Sequence, residues 1–273
     1  MRSANSSEDI SSGSCAIAAM AKASRAGRTK TRLVPPLTFD EAAAFNTAFL
    51  KDIAANIAAA DCATRRGAVA GYIAYGPPGS APFFREVLPA SIDLIEAWHP
   101  NFGDCLFAAI EQLFALGHDS AAVLNSDSPT LPTALLVETA EVLARPGDRA
   151  VLGPSTDGGY YLLGLKAPHR RLFDDVAWST AAVAQQTLAR AAEIGLDIRV
   201  LPTWYDVDDL AGLRVLRSEL RDGFSFARGL APHGAPHSRR LLDTLLREAD
   251  LAQRLLGQNH GDGSDPSMRR AGE

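Results

Sequence analysis

An aspartate that follows an apolar run is the residue of this chain whose position best suits the binding of a cation. Residues 121–124 are apolar, Asp127 follows them, and Pro129 and Pro132 then favour a turn and the start of a helix. This order predicts a buried strand whose carboxyl end presents Asp127, where ligands of open α/β sheets bind. The carboxylate is therefore a candidate ligand for a hard cation that carries phosphate oxygens. The alternative is an aspartate that forms an Asx turn or caps a helix.

A basic segment follows the first predicted strand. It places five cations in eleven residues around Gly27, namely Lys22, Arg25, Arg28, Lys30 and Arg32. Glycine lets the backbone approach an anion closely, and the amides add partial positive charge. The segment therefore predicts a phosphate-binding loop, with a merely solvated charged loop as the alternative. It does not have the spacing of a Walker loop.

Two further acidic motifs also follow predicted strands. They are Asp157-Gly158-Gly159, whose glycines give tight backbone access beside a carboxylate, and Asp206-Val207-Asp208-Asp209, some of whose aspartates could simply cap a helix. Carboxylates gathered at one edge of a sheet repel one another unless a divalent cation or the basic loop neutralises them. A magnesium ion held by one or two carboxylates and by substrate phosphates fits this chemistry.

Strands alternate with helices along the chain. Strands are predicted at 15–20, 68–74, 92–97, 121–124, 150–152, 160–165 and 198–201. One helix is predicted to begin at a capping box formed by Thr38 and Glu41. Further helices are predicted at 106–116, at 132–144, from a Thr180 cap to about 194, and from the residues after Asp209 to about 220. A last, amphipathic helix is predicted at 237–256. Because most of the strands are continuously apolar, we expect a largely parallel sheet covered on both faces. The predicted organisation is a disordered tail at 1–13, one domain at 14–221, and a helical appendage and tail at 222–273.

Composition narrows the class of protein. The chain has 273 residues, 47% of them hydrophobic, which is ample for one sizeable core. Its net charge of −5 gives no reason to expect a nucleic-acid partner or an anionic membrane. Three scattered cysteines and no apolar run of bilayer length favour a cytoplasmic protein without a membrane span. Neither a serine-hydrolase elbow nor a dinucleotide fingerprint is present.

Five ordered motifs together resemble a known family. They are residues 22–33, 125–132, 153–161, 178–180 and 204–208. In this order they resemble the bacterial GT-A-like transferase family found beside radical-SAM enzymes, which is similar to phospholactate guanylyltransferase. The resemblance covers roughly residues 15–220. It implies an α/β, three-layer nucleotide-diphospho-sugar transferase (GT-A) fold with a mainly parallel central sheet.

The resemblance also implies roles for individual residues. Asp127 would hold magnesium or manganese together with Asp206 and Asp208, and Asp127, Lys30 and Asp157 would be catalytic. The expected nucleotide-binding residues are Lys22, Arg25, Gly27, Lys30, Arg32 and Ser126. The expected substrate-binding residues are Asp157, Gly158, Gly159 and Trp178. The chain departs from the family pattern at three positions: Ser24 stands in place of a proline, Cys105 in place of an arginine, and Asn125 in place of a glycine.

These observations predict a magnesium-dependent nucleotidyltransferase. A small anionic acceptor would attack the α-phosphate of a nucleoside triphosphate, and pyrophosphate would leave. The alternatives are a glycosyltransferase that uses a nucleotide sugar and a nucleotide-binding protein without catalysis. The expected partners are a nucleotide, a small-molecule acceptor and a second copy of the chain.

Overall fold

A seven-stranded sheet organises the chain, as seen in a computed structural model that describes residues 14–64 and 68–257. The strands are β1 (Cys15–Ala21), β2 (Val69–Tyr75), β3 (Asp93–Glu96), β4 (Ser120–Leu124), β5 (Ala150–Pro154), β6 (Tyr160–Leu165) and β7 (Ile198–Val200). Their order is β3-β2-β1-β4-β6-β5-β7, and only β6 runs antiparallel to its neighbours. The predicted mainly parallel sheet is therefore confirmed. The predictions for residues 1–13 and for the chain end after 257 lie outside the described residues.

The strands are apolar on both faces because helices cover both sides of the sheet. In β1, Ile17 packs into one buried cluster while Ala16 and Ala18 pack into the other. The helices are α1 (Phe39–Ala63), α2 (Ala81–Val87), α3 (Phe102–Ala115), α4 (Thr133–Ala144), α5 (Val183–Glu193), α6 (Leu210–Arg221), α7 (Pro236–Glu248) and α8 (Leu251–Gly257). Residues of α1, α4, α6, α7 and α8 join the first cluster, and residues of α3 and α5 join the second. The result is the expected three-layer arrangement.

Helix ends follow the local sequence in some places and depart from it in others. The capping box of Thr38 and Glu41 forms at the start of α1 as predicted. The prediction that Thr180 caps a helix is wrong, because the helix begins only at Val183 and the Thr180 hydroxyl donates to the Ala177 carbonyl at 2.7 Å. Helix α3 begins four residues earlier than predicted, because Asn101 caps it by accepting from the Gly103 amide.

The C-terminal segment forms two helices where the sequence predicted one. The helical conformation is interrupted at Asp250, which adopts a left-handed conformation with φ of 49° between α7 and α8. Leu242, Leu251 and Leu255 join the same buried cluster as α1, so both helices pack onto the sheet-covering layer. Among the described residues, none of the helices combines the length and apolar character that a membrane crossing requires.

A buried carboxylate fastens α7 to α1. Asp52, which is fully buried, accepts hydrogen bonds from the His237 amide at 2.9 Å, the Ser238 amide at 2.8 Å and the Ser238 hydroxyl at 2.5 Å. These amides belong to the first turn of α7, where an anion is favoured by unpaired N–H groups and by the helix dipole. Asp52 therefore caps α7 from another helix.

We expect Asp52→Ala to lower the free energy of unfolding by about 2–4 kcal/mol, because it leaves three donors, two of them buried, without their acceptor. Urea denaturation followed by circular dichroism measures the change. Asp40→Ala is the matched control, since Asp40 is an exposed aspartate of the same helix and its loss should cost less than about 1 kcal/mol. Equal effects of the two substitutions would contradict the capping role of Asp52.

Candidate functional site

A cavity of about 400 Å³ opens at the carboxyl edge of the parallel strands. The strands β1, β2, β3 and β4 end at this edge, and the antiparallel β6 begins there. The polar residues that line the cavity are Lys22, Arg28, Thr29, Lys30, Thr31, Arg32, Asn46, Asn125, Ser126, Asp127, Tyr160, Tyr161 and Asp208. Its volume lies within the range typical of small-molecule sites.

Lys30 joins the two carboxylates of this cavity. Its Nζ lies 2.5 Å from Asp127 Oδ1 and 2.7 Å from Asp208 Oδ1, and it donates to the Val207 carbonyl at 3.1 Å. The Lys30 side chain is only 6% exposed, whereas each aspartate side chain is more than a quarter exposed. Arg32 adds an ion pair to the second oxygen of Asp208. Lys30, Asp127 and Asp208, which we call the Lys30 centre, thus form one buried charge network with an open side.

Backbone geometry holds the Lys30 centre in place. Lys30 adopts a left-handed conformation with φ of 53° and leads into a short 3-10 turn, Thr31–Leu33. Its Nζ lies 5.5 Å from the centroid of the Phe49 ring of α1, a favourable cation–π position. The Val207 amide donates to the Asp127 carbonyl at 2.9 Å, which ties the segment after β4 to the segment that carries Asp208.

Protonation equilibria follow from these contacts. Burial would lower the pKa of the Lys30 ammonium, but Asp127 and Asp208 outweigh it and raise this pKa above its ordinary value. Burial likewise opposes the ionisation of Asp208, yet Lys30 and Arg32 hold the pKa of its carboxyl below the ordinary value. Lys30 and Asp208 are therefore both ionised at neutral pH.

Asp206 is the carboxylate that these cations do not neutralise. Burial, followed by the negative charges of Asp157, Asp208 and Asp127, raises the pKa of Asp206 to about 6. Within the residues that the structure describes, no three His, Cys, Asp or Glu side chains are grouped closely enough to cage a metal ion. The donor set instead fits a magnesium ion that takes one or two carboxylates and completes its shell with water and phosphate oxygens.

We expect Asp206→Asn to stabilise the fold at neutral pH. Because the folded-state pKa exceeds the ordinary value of 3.8, the contribution of Asp206 to stability falls as pH rises from 3.8 through about 6. The substitution should raise the free energy of unfolding by about 1–3 kcal/mol at pH 7.5 and change it little at pH 4. Urea denaturation at the two pH values measures this, with Asp222→Asn at the exposed end of α6 as the control. An identical effect of Asp206→Asn at both pH values would refute an electrostatic origin of the change in the free energy of unfolding.

The predicted Asp157-Gly158-Gly159 motif forms the tight turn between β5 and β6. Asp157 Oδ1 accepts from the Gly159 amide at 2.9 Å, so its side chain stabilises this turn. Gly158 has φ of +87°, and a Cβ there would lie 2.2 Å from the Ala181 carbonyl oxygen, so only glycine fits. The carboxylate still contributes to the electrostatics of the site, since it raises the pKa of Asp206.

The cavity brings together only part of the predicted site. Lys22, Lys30, Arg32, Ser126, Asp127 and Asp208 line it, whereas Arg25, Gly27, Asp157, Gly158, Gly159, Trp178 and Asp206 do not. Trp178 instead packs edge-on against Phe102 and Tyr160, both of which line the cavity. The ligand-binding and metal-binding roles of all these residues stay predictions.

Three positions that depart from the expected pattern have structural partners. The Ser24 hydroxyl accepts from Asn46 Nδ2 and from the Thr47 hydroxyl, each at 2.8 Å, so hydrogen bonds to α1 restrain the loop where a proline was expected. The Cys105 thiol exchanges hydrogen bonds with the backbone of His99. Asn125 donates to the Ser128 hydroxyl at 3.1 Å. Cys105 and Asn125 both line the cavity.

The C-terminal helices also support the basic loop. Arg254 of α8 forms a two-point ion pair with Glu41, with both N···O distances 2.8 Å, and donates to the Pro36 carbonyl at 2.6 Å. Pro36 follows the 3-10 turn that begins directly after Lys30. The sequence did not indicate these contacts, because Arg254 lies 213 positions from Glu41 and 218 positions from Pro36.

Sequence comparisons identify a partial family match. The model of the family DUF2064, described as an uncharacterized protein conserved in bacteria, matches residues 59–180. This range contains Asp127 but neither Lys30 nor Asp208. The comparison with curated proteins found no match. The association with radical-SAM enzymes and the similarity to phospholactate guanylyltransferase stay predictions.

The chain is similar to several solved structures. A "putative nucleotide-diphospho-sugar transferase" from Desulfovibrio desulfuricans G20 is 26% identical, with a TM-score of 0.71, over 89% of this chain and 98% of that one. A cytidylyltransferase from Leptospira borgpetersenii is 9% identical with a TM-score of 0.47, over 88% and 96% of the two chains. A 4-diphosphocytidyl-2C-methyl-D-erythritol synthase from Anaerococcus prevotii is 9% identical with a TM-score of 0.45, over 77% and 97%. The predicted fold class is confirmed by the first of these: the chain has an α/β fold like that of nucleotide-diphospho-sugar transferases.

Proposed function

We propose that this protein is a magnesium-dependent nucleotidyltransferase that joins a nucleoside monophosphate unit to a small anionic acceptor. An acceptor oxygen would form a bond to the α-phosphorus of a nucleoside triphosphate. The bond from that phosphorus to the oxygen bridging the α- and β-phosphates would break, and pyrophosphate would leave. An acceptor that is already an anion needs no general base.

The Lys30 centre is the observation that carries this proposal. It combines a buried ammonium, two carboxylates with an open side and the nearby Arg32 in one cavity at the carboxyl edge of the sheet. Phosphoryl-type transfer asks a protein mainly for positioning and for charges placed in advance. Lys30 and Arg32 would offset the negative charge that grows on the leaving pyrophosphate.

Asp127 and Asp208 would hold the magnesium ion, with Asp206 adding negative charge beside them. When bound, magnesium would supply further positive charge to the phosphate oxygens. Lys22 and Arg28, which line the same cavity, would contact the remaining phosphate oxygens. The remaining residues of the cavity would then orient the nucleoside monophosphate unit that is transferred.

A glycosyltransferase that uses a nucleotide sugar is the second candidate. The similarity to a protein named for nucleotide-diphospho-sugar transfer favours it, since that structure matches most of both chains. The same cations would then neutralise a leaving nucleoside diphosphate. The two candidates differ in their products, because the first releases pyrophosphate and the second a nucleoside diphosphate.

Thermal denaturation with magnesium tests the proposal. ATP, GTP, CTP and UTP would be compared with UDP-glucose and GDP-mannose, each at several concentrations. A ligand at 100 times its Kd stabilises the native state by about 2.7 kcal/mol, which should raise Tm by about 5–10 °C. Stabilisation by one triphosphate, followed by pyrophosphate release with small phosphorylated or carboxylated acids, is the expected result. Stabilisation by nucleotide sugars alone would favour the second candidate, and no response to either class would refute both.

A further inference from the structure

Two exposed aromatic side chains line the same cavity as the Lys30 centre. Trp98 is 46% exposed and Phe102 is 50% exposed, although large aromatic side chains are usually much more buried. Trp98 follows the end of β3, and Phe102 is the first residue of α3. In the sheet, β3 is separated from β1 by one strand and from β4 by two. With strands about 4.8 Å apart, the aromatic residues lie on the order of 10–15 Å along the edge from the strands that lead to Lys30 and Asp127.

The backbone around Trp98 fixes the ring in advance of any ligand. A Cβ on Gly76 would lie 2.4 Å from Trp98 Cε3, so the indole packs directly onto the backbone of a glycine that also lines the cavity. The Ala97 amide donates to the Tyr75 carbonyl at 3.0 Å, and the His99 amide donates to the Cys105 thiol at 3.2 Å. Hydrogen bonds therefore hold the residue on each side of Trp98, which lowers the entropic cost of binding a ligand on its ring.

Polar atoms without partners also belong to residues that line this cavity. Asn125 Oδ1 and the Tyr160 hydroxyl are buried and have no hydrogen-bond partner within the described part of the chain. Buried polar atoms are normally paired, so these two atoms of lining residues are candidate partners for a ligand that offers a donor or an acceptor. A ligand that fills the cavity would therefore meet an aromatic face, hydrogen-bonding groups and a cationic region.

We propose that Trp98, assisted by Phe102, is the stacking site for the base of the nucleotide, and that Asn125 Oδ1 and the Tyr160 hydroxyl read its polar groups. This inference rests on the proposed nucleotide substrate and adds the residues that bind its ring. A nucleotide joins a planar aromatic ring to phosphates, which matches the aromatic and cationic parts of the cavity. Stacking is tolerant of base identity, so the choice among bases would come from the polar atoms.

Binding measurements separate the ring from the phosphates. Isothermal titration with magnesium would use ATP, GTP, CTP and UTP, and tripolyphosphate as a ligand that has the charges without the ring. Trp98→Ala should weaken the preferred nucleotide about 10- to 100-fold and leave tripolyphosphate affinity unchanged. Trp98→Phe should retain most of the nucleotide affinity but lose the nucleotide-induced quenching of tryptophan fluorescence. Phe39→Ala, at an aromatic residue of similar exposure outside the cavity lining, is the control.

The outcomes distinguish this inference from the proposed function. If wild-type protein binds a nucleotide and Trp98→Ala binds it equally well, or loses tripolyphosphate to the same extent, the stacking role is overturned while the function stands. If wild-type protein binds tripolyphosphate but none of the nucleotides, the proposed function and the stacking site both fail. Circular dichroism and Tm of each variant verify that a loss of affinity does not come from unfolding.

Discussion

Asp127→Ala is expected to abolish magnesium-dependent transfer, with a fall of at least about 1000-fold in kcat. The substitution removes one of the two carboxylates that face the cavity beside Lys30, and with it one of the two proposed ligands of the metal. It leaves Lys30 paired with Asp208 at 2.7 Å, so the buried ammonium keeps a counter-ion. The measurement is pyrophosphate release over a range of magnesium concentrations, using the triphosphate and acceptor found by the screen.

Two further variants distinguish a loss of activity from a loss of folded structure. Asp127→Asn keeps the shape of the side chain and removes its charge, so it should lose activity nearly as fully as Asp127→Ala. Asp222→Asn removes an aspartate at the exposed end of α6 and should retain wild-type turnover. Circular dichroism should show all three variants folded. Full turnover by Asp127→Asn would exclude a metal-binding or charge-dependent role for this residue.

The sequence predicted the sheet well because its signal is local. Continuous apolar runs such as 121–124 can be satisfied only by burial on both faces, and the structure buries every residue of β4. The antiparallel direction of β6 was not predicted, since the turn at Asp157-Gly158-Gly159 fixes it and apolar content does not reveal strand direction. The interruption of the helix at Asp250 was also missed, because the amphipathic pattern of 237–256 continues across it.

The candidate site was predicted less completely than the fold. The sequence indicated that Lys30, Asp127 and Asp208 all follow strands, and the order of strands brings them together at one edge. It could not indicate that Lys30 would lie between the two aspartates, because this position depends on contacts with distant residues. In the sequence, Lys30 lies 177 positions from Val207 and 178 positions from Asp208. Trp98 was not singled out at all, although its position just after the strand predicted at 92–97 was an available signal.

Lys30→Met is expected to lower both activity and stability, and it is the sharpest test of the Lys30 centre. Methionine has a similar length without the charge, so Asp127 and Asp208 would lose their shared counter-ion in a partly buried place. Breaking a fully buried ion pair costs about 3–5 kcal/mol, and the partial exposure of the two aspartates should reduce this to about 2–3 kcal/mol. Turnover should fall about 100- to 1000-fold, because a preorganised cation no longer faces the leaving group.

The pH dependence of Lys30→Met distinguishes an ion pair from simple packing. The pKa of Asp208 is lowered in the folded wild type, so its contribution to stability is present at neutral pH and is lost as pH falls through and below its ordinary value of 3.8. The stability difference between wild type and Lys30→Met should therefore be large at pH 7 and shrink towards pH 3, as urea denaturation can measure. Lys51→Met, on α1 and outside the cavity lining, should change neither turnover nor this pH profile. A difference that stays constant with pH would mean that Lys30 stabilises the loop by packing on Phe49, and would remove the electrostatic basis of the proposed function.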